Sequence, residues 1–259
     1  MSVVARAVRP AVRVGGARRP SESALTVIAV VLTFASGGVD VAVFARLGNV
    51  FASVMTGNIV VFGLSLARGS LSLGLHTGAA VCGYIVGVAL GTRSGSPPGR
   101  DGASVAVARW PSRVTALLLA ELALLVSFAV GWEVTGSRPA GAAQIVLLIV
   151  VACAMGLQSA AVVQMDLGSV ATTYLTGTLT GLVSSVVRRE GSARDGARLR
   201  RPGVLLGLLA GAAGVGLLIA YASAVAPLPP LLAVGTATVL TSGRLRSGTR
   251  PVTAQYLRD

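Results

Sequence analysis

Residues 143–165 read AQIVLLIVVACAMGLQSAAVVQM, a run without a single acidic or basic side chain. A membrane-crossing helix needs roughly 20 consecutive apolar residues, and this stretch supplies them. Runs of the same kind recur on both sides of it. They cover about 24–45, 50–67, 71–91, 114–134, 143–165, 170–187, 203–225 and 228–243, the last being short and opening on Pro229-Pro230. None alternates apolar and polar residues with period two, as the strands of a membrane barrel must. The expected fold class is an all-α integral membrane protein with about eight transmembrane helices.

Composition agrees. The 259 residues are 53% hydrophobic and 12% charged, with a mean hydropathy of +0.78, whereas a soluble domain carries roughly 25% charged residues. All 22 basic residues are arginine, and against 9 acidic ones they give a net charge of +13. A chain without lysine has no P-loop and no pyridoxal Schiff base. One histidine and two cysteines cannot assemble a zinc site from nitrogen and sulfur ligands, so no metal and no other cofactor is expected. At 4% aromatic residues the chain is also unsuited to base stacking, and no nucleic-acid partner is expected. Cys82 and Cys153 fall in apolar runs, where thiols are usually inert packing residues. Neither H-E-x-x-H nor G-x-S-x-G occurs, so the chain is not expected to be an enzyme.

The arginines suggest an orientation. Residues 1–22 form a basic tail without apolar periodicity, expected to be disordered, and 244–259 form a second basic tail. Arg18-Arg19 precede an apolar run as in a twin-arginine signal, but that run is as long as a span and others follow, so it reads as an uncleaved first helix. With eight spans, most arginines lie on the side of both termini, which the positive-inside rule makes cytoplasmic. Arg46 and the four arginines of the polar connection 92–113 fall on the other side. Those four conflict with the rule.

An internal repeat divides the chain. GNVFASVMTGN at 48–58 is echoed by GSVATTYLTGT at 168–178, an offset of 120, with Gly48, Val50, Thr56 and Gly57 recurring as Gly168, Val170, Thr176 and Gly177. Upstream, Gly38-Val39-Asp40 meets Gly156-Leu157-Gln158 at an offset of 118. Downstream, Gly74, Gly78 and Gly83 meet Gly207, Gly211 and Gly216 at 133. The expected halves are 23–134 and 143–243, each with four spans, hence two parallel four-helix repeats related by an axis along the membrane normal. Small residues four apart, Gly83-Gly87-Gly91 and Gly203-Gly207-Gly211, mark helix-packing faces.

GGVDVAVFARLGNVFASVMTGNIVVFG, followed by AMGLQSAAVV and TTYLTGTLTGL, resembles the YoaK-type bacterial transmembrane proteins over about 24–243. The resemblance implies a multi-pass protein of the bacterial inner membrane. It supplies no activity and no site residue.

Ionisable and amide side chains inside spans cost free energy and are functional candidates by default. Asp40, Glu121 and His76 sit within runs, while Glu133 and Asp166 lie near run ends. In the eight-span topology Asp40, Asn58, Glu121, Gln158 and Thr176 fall at one level toward the outer face, and His76 enters from the cytoplasmic side. Each has a structural reading: Asp40 as an N-cap or as partner of Arg46, the threonines bonded back to their own helices, Asn58 and Gln158 in interhelical bonds. The functional reading joins them. Thr56-Gly57 and Thr176-Gly177 would loosen two helices, and Thr56, Gly57, Asn58, Gln158, Thr176, Gly177 and Thr178 would bind a small polar solute. Asp40 and Glu121 would take up a coupling proton or cation. The expectation is a secondary transporter embedded in the lipid bilayer, with a non-transporting scaffold or partner-binding subunit as the alternative.

Overall fold

The computed structural model describes residues 22–93, 103–165, 175–187 and 195–247, and every long element in them is helical. The helices are α1 (Glu22–Arg46), α2 (Met55–Arg68), α3 (Leu71–Arg93), α4 (Ala103–Val134), α5 (Gly141–Gln164), α6 (Leu175–Val187), α7 (Asp195–Tyr221) and α8 (Leu228–Ser247), with a 3₁₀ turn at Ser223–Val225. Expectations for 1–21, 248–259 and the polar connections 94–102 and 188–194 lie outside the described residues. So do those for Asp166, Gly168 and Val170.

Six helices, all but α2 and α6, are long and apolar enough to cross a membrane. At 14 and 13 residues, and about 1.5 Å rise per residue, α2 and α6 reach only about two-thirds of a hydrocarbon core some 30 Å thick. The expected run at 50–67 is therefore not a continuous span, and the described part of the run at 170–187, Leu175–Val187, is shorter than one.

Hydrogen bonds fix the helix directions. Gln158 Nε2 on α5 donates to Leu32 O at 3.1 Å and to Ser36 Oγ at 3.0 Å, in the middle of α1. Gln144 Nε2, near the start of α5, donates to Arg46 O at the end of α1, at 2.7 Å. So α1 and α5 run antiparallel. A Cβ built on Gly83 would meet Ile149 O, one on Gly87 would meet Cys153 O, and one on Gly91 would meet Ala160, so α3 runs parallel to α5. Likewise Gly207 lies against Val30 O and Gly211 against Phe34 O, so α7 runs parallel to α1. The glycine stripes thus pack as their spacing predicts, letting backbones approach where a side chain would not fit.

Two consequences correct the eight-span topology. The start of α3 lies at the end of α1, because His76 packs against Gly48 and its Nε2 lies 3.0 Å from Gln144 Oε1. Residues 47–70, with α2 among them, leave and return at one end of the bundle. The end of α5 and the start of α7 share the opposite end, so α6 also leaves and returns at one end. In addition, α1 and α5, the equivalent helices of the two expected halves, point opposite ways. A rotation about the membrane normal cannot superpose them, and the expected parallel arrangement does not fit.

The central helices are α1 and α5, each with 67% of its apolar window buried. Around them Leu32, Leu118, Leu148, Met155 and Trp132 are fully enclosed. Trp132 Nε1 donates to Ser223 O at 2.8 Å, which pins the end of α4 to the turn between α7 and α8.

Candidate functional site

The site begins where α1 stops. Gly48 and Asn49 take left-handed backbone, with φ of 97° and 58°, a region glycine and asparagine enter most readily. The chain turns back, and residues 50–54 run without helical bonds along the last turns of α1. Val50 and Ala52 are fully buried there. Buried non-helical backbone must find hydrogen-bond partners, and two side chains supply them. Asp40 Oδ1 accepts from Ala52 N–H and Ser53 N–H, both at 2.8 Å, and its Oδ2 accepts from the Ser53 hydroxyl at 2.5 Å. Asn58 Oδ1 accepts from Phe51 N–H at 2.9 Å while its Nδ2 donates to Phe51 O at 2.6 Å. Phe51 stacks on Phe44, ring centroids 5.2 Å apart.

This loop delivers the chain to α2 partway down α1. No side chain caps α2 at Val54. Thr56 is exposed and Gly57 half-buried in the first turn, where N–H groups have no acceptor within the helix. At its far end Gly69, φ 61°, closes the helix: its N–H reaches Leu66 O, and Ser70 N–H reaches Ser65 O at 2.9 Å. This Schellman motif turns the chain directly into α3. The counterpart α6 opens on Leu175-Thr176-Gly177-Thr178, with Thr176 and Gly177 exposed and Thr178 buried. Nothing lies within 4 Å of a Cβ on Gly177. Arg201 donates to Gly181 O at 2.9 Å and ties α6 to α7.

The structure brings together only part of the expected set. Asp40 and Asn58 meet on one loop, and Asp40 bonds Ala52 and Ser53, whereas its structural alternatives were an N-cap or a pairing with Arg46. Gln158 lies apart, against Leu32 and Ser36. Thr176, Gly177 and Thr178 belong to the short helix at the other end of the bundle, so the five polar groups do not share a level. The reason is the reversed direction of α5. His76 stands at the end of α1, not on the opposite side as expected, because α2 does not cross. Glu121, on α4, is wholly buried, and neither of its carboxyl oxygens has a hydrogen-bond partner; Gln158 Oε1 is buried without a partner as well.

Sequence reasoning passed over Ser53, Ser36 and the link from His76 through Gln144 to Arg46 O, which holds α1, α3 and α5 at one end. Gln144 stood in view as a lone amide at the start of an apolar run. The groove in the surface between α1, α7 and α8, about 580 Å³ in volume, has a mainly apolar lining that includes Phe34, Leu206, Pro229 and Leu232.

A family model described as "Protein of unknown function (DUF1275)" matches residues 28–240. The UPF0700 transmembrane protein YoaK of Bacillus subtilis (strain 168) is 31% identical over 158 residues. The match covers 61% of this chain and 65% of the relative, so the chain spans just under two-thirds of that protein's length. No solved structure matches. The family match runs from within α1 to within α8 and takes in the buried loop and both short helices, and so the chain is a multi-pass membrane protein that belongs to the DUF1275 family.

Proposed function

We propose that this chain is a secondary transporter or permease for a small polar solute, built from two inverted halves and acting without catalysis or cofactor. Each half contributes three crossings and one short helix that enters and leaves at the same end. The registers support the inversion. A Cβ on Gly37 would meet Leu208 O and Ala212 N, and one on Gly156 would meet Tyr84 O and Val88 N. Pairing α1 with α5 at an offset of 119 and α3 with α7 at an offset of 124 exchanges these two contact sets, and carries the Gly83 and Gly87 contacts onto those of Gly207 and Gly211. At an offset of 113 the buried stripe Val114, Leu117, Glu121, Leu125, Phe128 meets Pro227, Pro230, Val234, Thr238, Thr241. These registers replace the offsets of 118 and 133 read from sequence.

Six crossings also suit the charge. Of the 22 arginines, all but Arg46, Arg68 and Arg138 then fall in segments attached to the end that carries both termini. That end is cytoplasmic under the positive-inside rule, in the inner membrane of a bacterium, and the conflict at 92–113 disappears.

The pair of short helices carries the functional reading. Interrupted apolar segments at corresponding positions of two inverted halves flank the binding sites of many transporters, and their helix starts face the solute. Here those starts are Thr56-Gly57 and Thr176-Gly177, with Asn58 and Asp40 shaping the first from behind. The scaffold reading has its own support: Asp40 and Asn58 have their bonds made within the protein, and the groove between α1, α7 and α8 is apolar. Osmotic re-swelling of proteoliposomes with glycerol, urea, sodium formate and sodium acetate separates the two. A permease re-swells faster than protein-free vesicles with at least one solute, and Gly57→Leu slows it. Identical rates with all four solutes favour the scaffold.

A further inference from the structure

Among the described residues, Glu121 is the only carboxyl group buried with both oxygens unpaired. It is wholly buried on α4, and both carboxyl oxygens lack a hydrogen-bond partner. It lies near the middle of the crossing Arg113–Val134, far from either interface. Its counterpart at the offset of 113 is Val234, also buried, so the fold accepts an apolar side chain at this kind of position. A buried carboxyl without partners costs free energy and contributes nothing to packing.

A second orphan lies at a similar level on the neighbouring helix α5. α4 and α5 run antiparallel, since Gly131 packs on Leu147 while Leu117 and Leu157 converge on Gly91. Glu121 lies one turn beyond Leu117, and Gln158 follows Leu157. Helical side chains lean toward their own N-terminus, so in this antiparallel pair the two lean toward a common level along the bundle axis. Gln158 spends its Nε2 on Leu32 O and Ser36 Oγ, which leaves Oε1 buried and unpaired. Three unpaired oxygens, two carboxyl and one amide, thus lie in the interior bounded by α1, α4, α5 and α8. Only oxygen acceptors are on offer, and one of the two groups is an acid.

We propose that Glu121, with Gln158 Oε1, is the binding site of a monovalent cation, a proton or a sodium ion, that couples to solute movement. The proposal rests on the transport reading for its use of the ion, but not for the binding itself. Asp40, the other intramembrane carboxylate, is then a structural anchor. Among the described residues, the helices packed on α4 hold no competing charge at this depth. α5 carries no charged residue, and its titratable Cys153 sits beside Gly87 of α3. On α8 the charged residues are Arg244 and Arg246 in the last turns, and on α4 itself Arg109, Arg113 and Glu133 lie toward the ends.

The test measures the melting temperature of the purified full chain, in sodium chloride against choline chloride at fixed pH, and across pH in choline chloride. A cation that binds only the folded state raises it, by about 5 °C at saturation for a protein of this size. Sodium specificity names sodium; a rise on acidification, unaffected by sodium, names the proton. Glu121→Gln, close to isosteric, should abolish the response, and Gln158→Leu should weaken the cation's affinity about tenfold or more. Asp40→Asn should keep the response. Wild type without either response, or Glu121→Gln with the wild-type response, overturns the site. Should Glu121→Gln fail to fold, carbodiimide labelling of the wild type, mapped by mass spectrometry, decides. Labelling of Glu121 that falls with sodium or with rising pH supports the site, and constant labelling overturns it. Cation binding without solute flux would sink the transport reading alone, whereas flux untouched by Glu121→Gln would overturn the coupling of this site to solute movement and leave the transport reading standing.

Discussion

A carboxylate inside an apolar bundle is costly unless its oxygens accept hydrogen bonds, and Asp40 accepts three, all from the loop at 52–53. Removing it strands the buried N–H of Ala52 and the part-buried N–H of Ser53. Asp40→Ala should therefore cost about 3 kcal/mol of stability, read as a lower melting temperature and faster proteolysis within 47–54. Asp40→Asn keeps an acceptor for the backbone and loses the one that serves Ser53, so it should cost less, about 1 kcal/mol. An unchanged melting temperature in Asp40→Ala would remove its anchoring role. That Asp40, Asn58, Glu121 and Gln158 were special could be seen in the sequence, since polar groups stand out in apolar runs. Their partners could not be seen. Bonds from Asp40 to Ala52 and from Asn58 to Phe51 exist only because Gly48 and Asn49 reverse the chain, and an apolar stretch such as Val50-Phe51-Ala52 reads as span either way.

Elements differ in how well local pattern determines them. The six helices long and apolar enough to cross a membrane follow from the length of their apolar runs, and hydropathy places them within a few residues. α2 and α6 break the rule because hydropathy measures transfer to an apolar setting, not helix continuity. Residues 50–54 are as apolar as a span, yet Asp40 and Asn58 offer their backbone groups bonds outside a helix, the competition that favours turns over helices. The parallel pairs α1–α7 and α3–α5 rest on glycine faces that the four-residue spacing did foretell. Gly87→Leu and Gly211→Leu drive a side chain into Cys153 O and Phe34 O, and each should abolish the monodisperse peak in size-exclusion chromatography. Gly63→Ala and Gly214→Ala, where nothing lies within 4 Å, should leave that peak in place. Equal behaviour of the two sets would mean that the glycine faces are not what holds these pairs together.

At the scale of the whole molecule, direction matters more than count. Reading eight spans put 92–113 opposite the termini; six crossings put it on their side. Reporter fusions within 94–102 and at the C-terminus should agree with each other, and a fusion at Gly69-Ser70 should report the other side. A fusion at 94–102 that disagrees with the C-terminus would discard the inverted topology. The architecture also imposes an order in time. Helix α1 packs along α7, and a ribosome adding about 5–20 residues per second needs roughly 10–35 s after finishing α1 to complete α7. During that interval Gly37 and the α1 backbone at Val30 and Phe34 await the helix that will cover them, while Asp40 can already fold down the neighbouring loop at 52–53. The nascent first half must be sheltered by lipid or by the insertion machinery until its distant partner emerges. Chains stalled before residue 203 should accordingly be degraded faster in cells than chains stalled after 221.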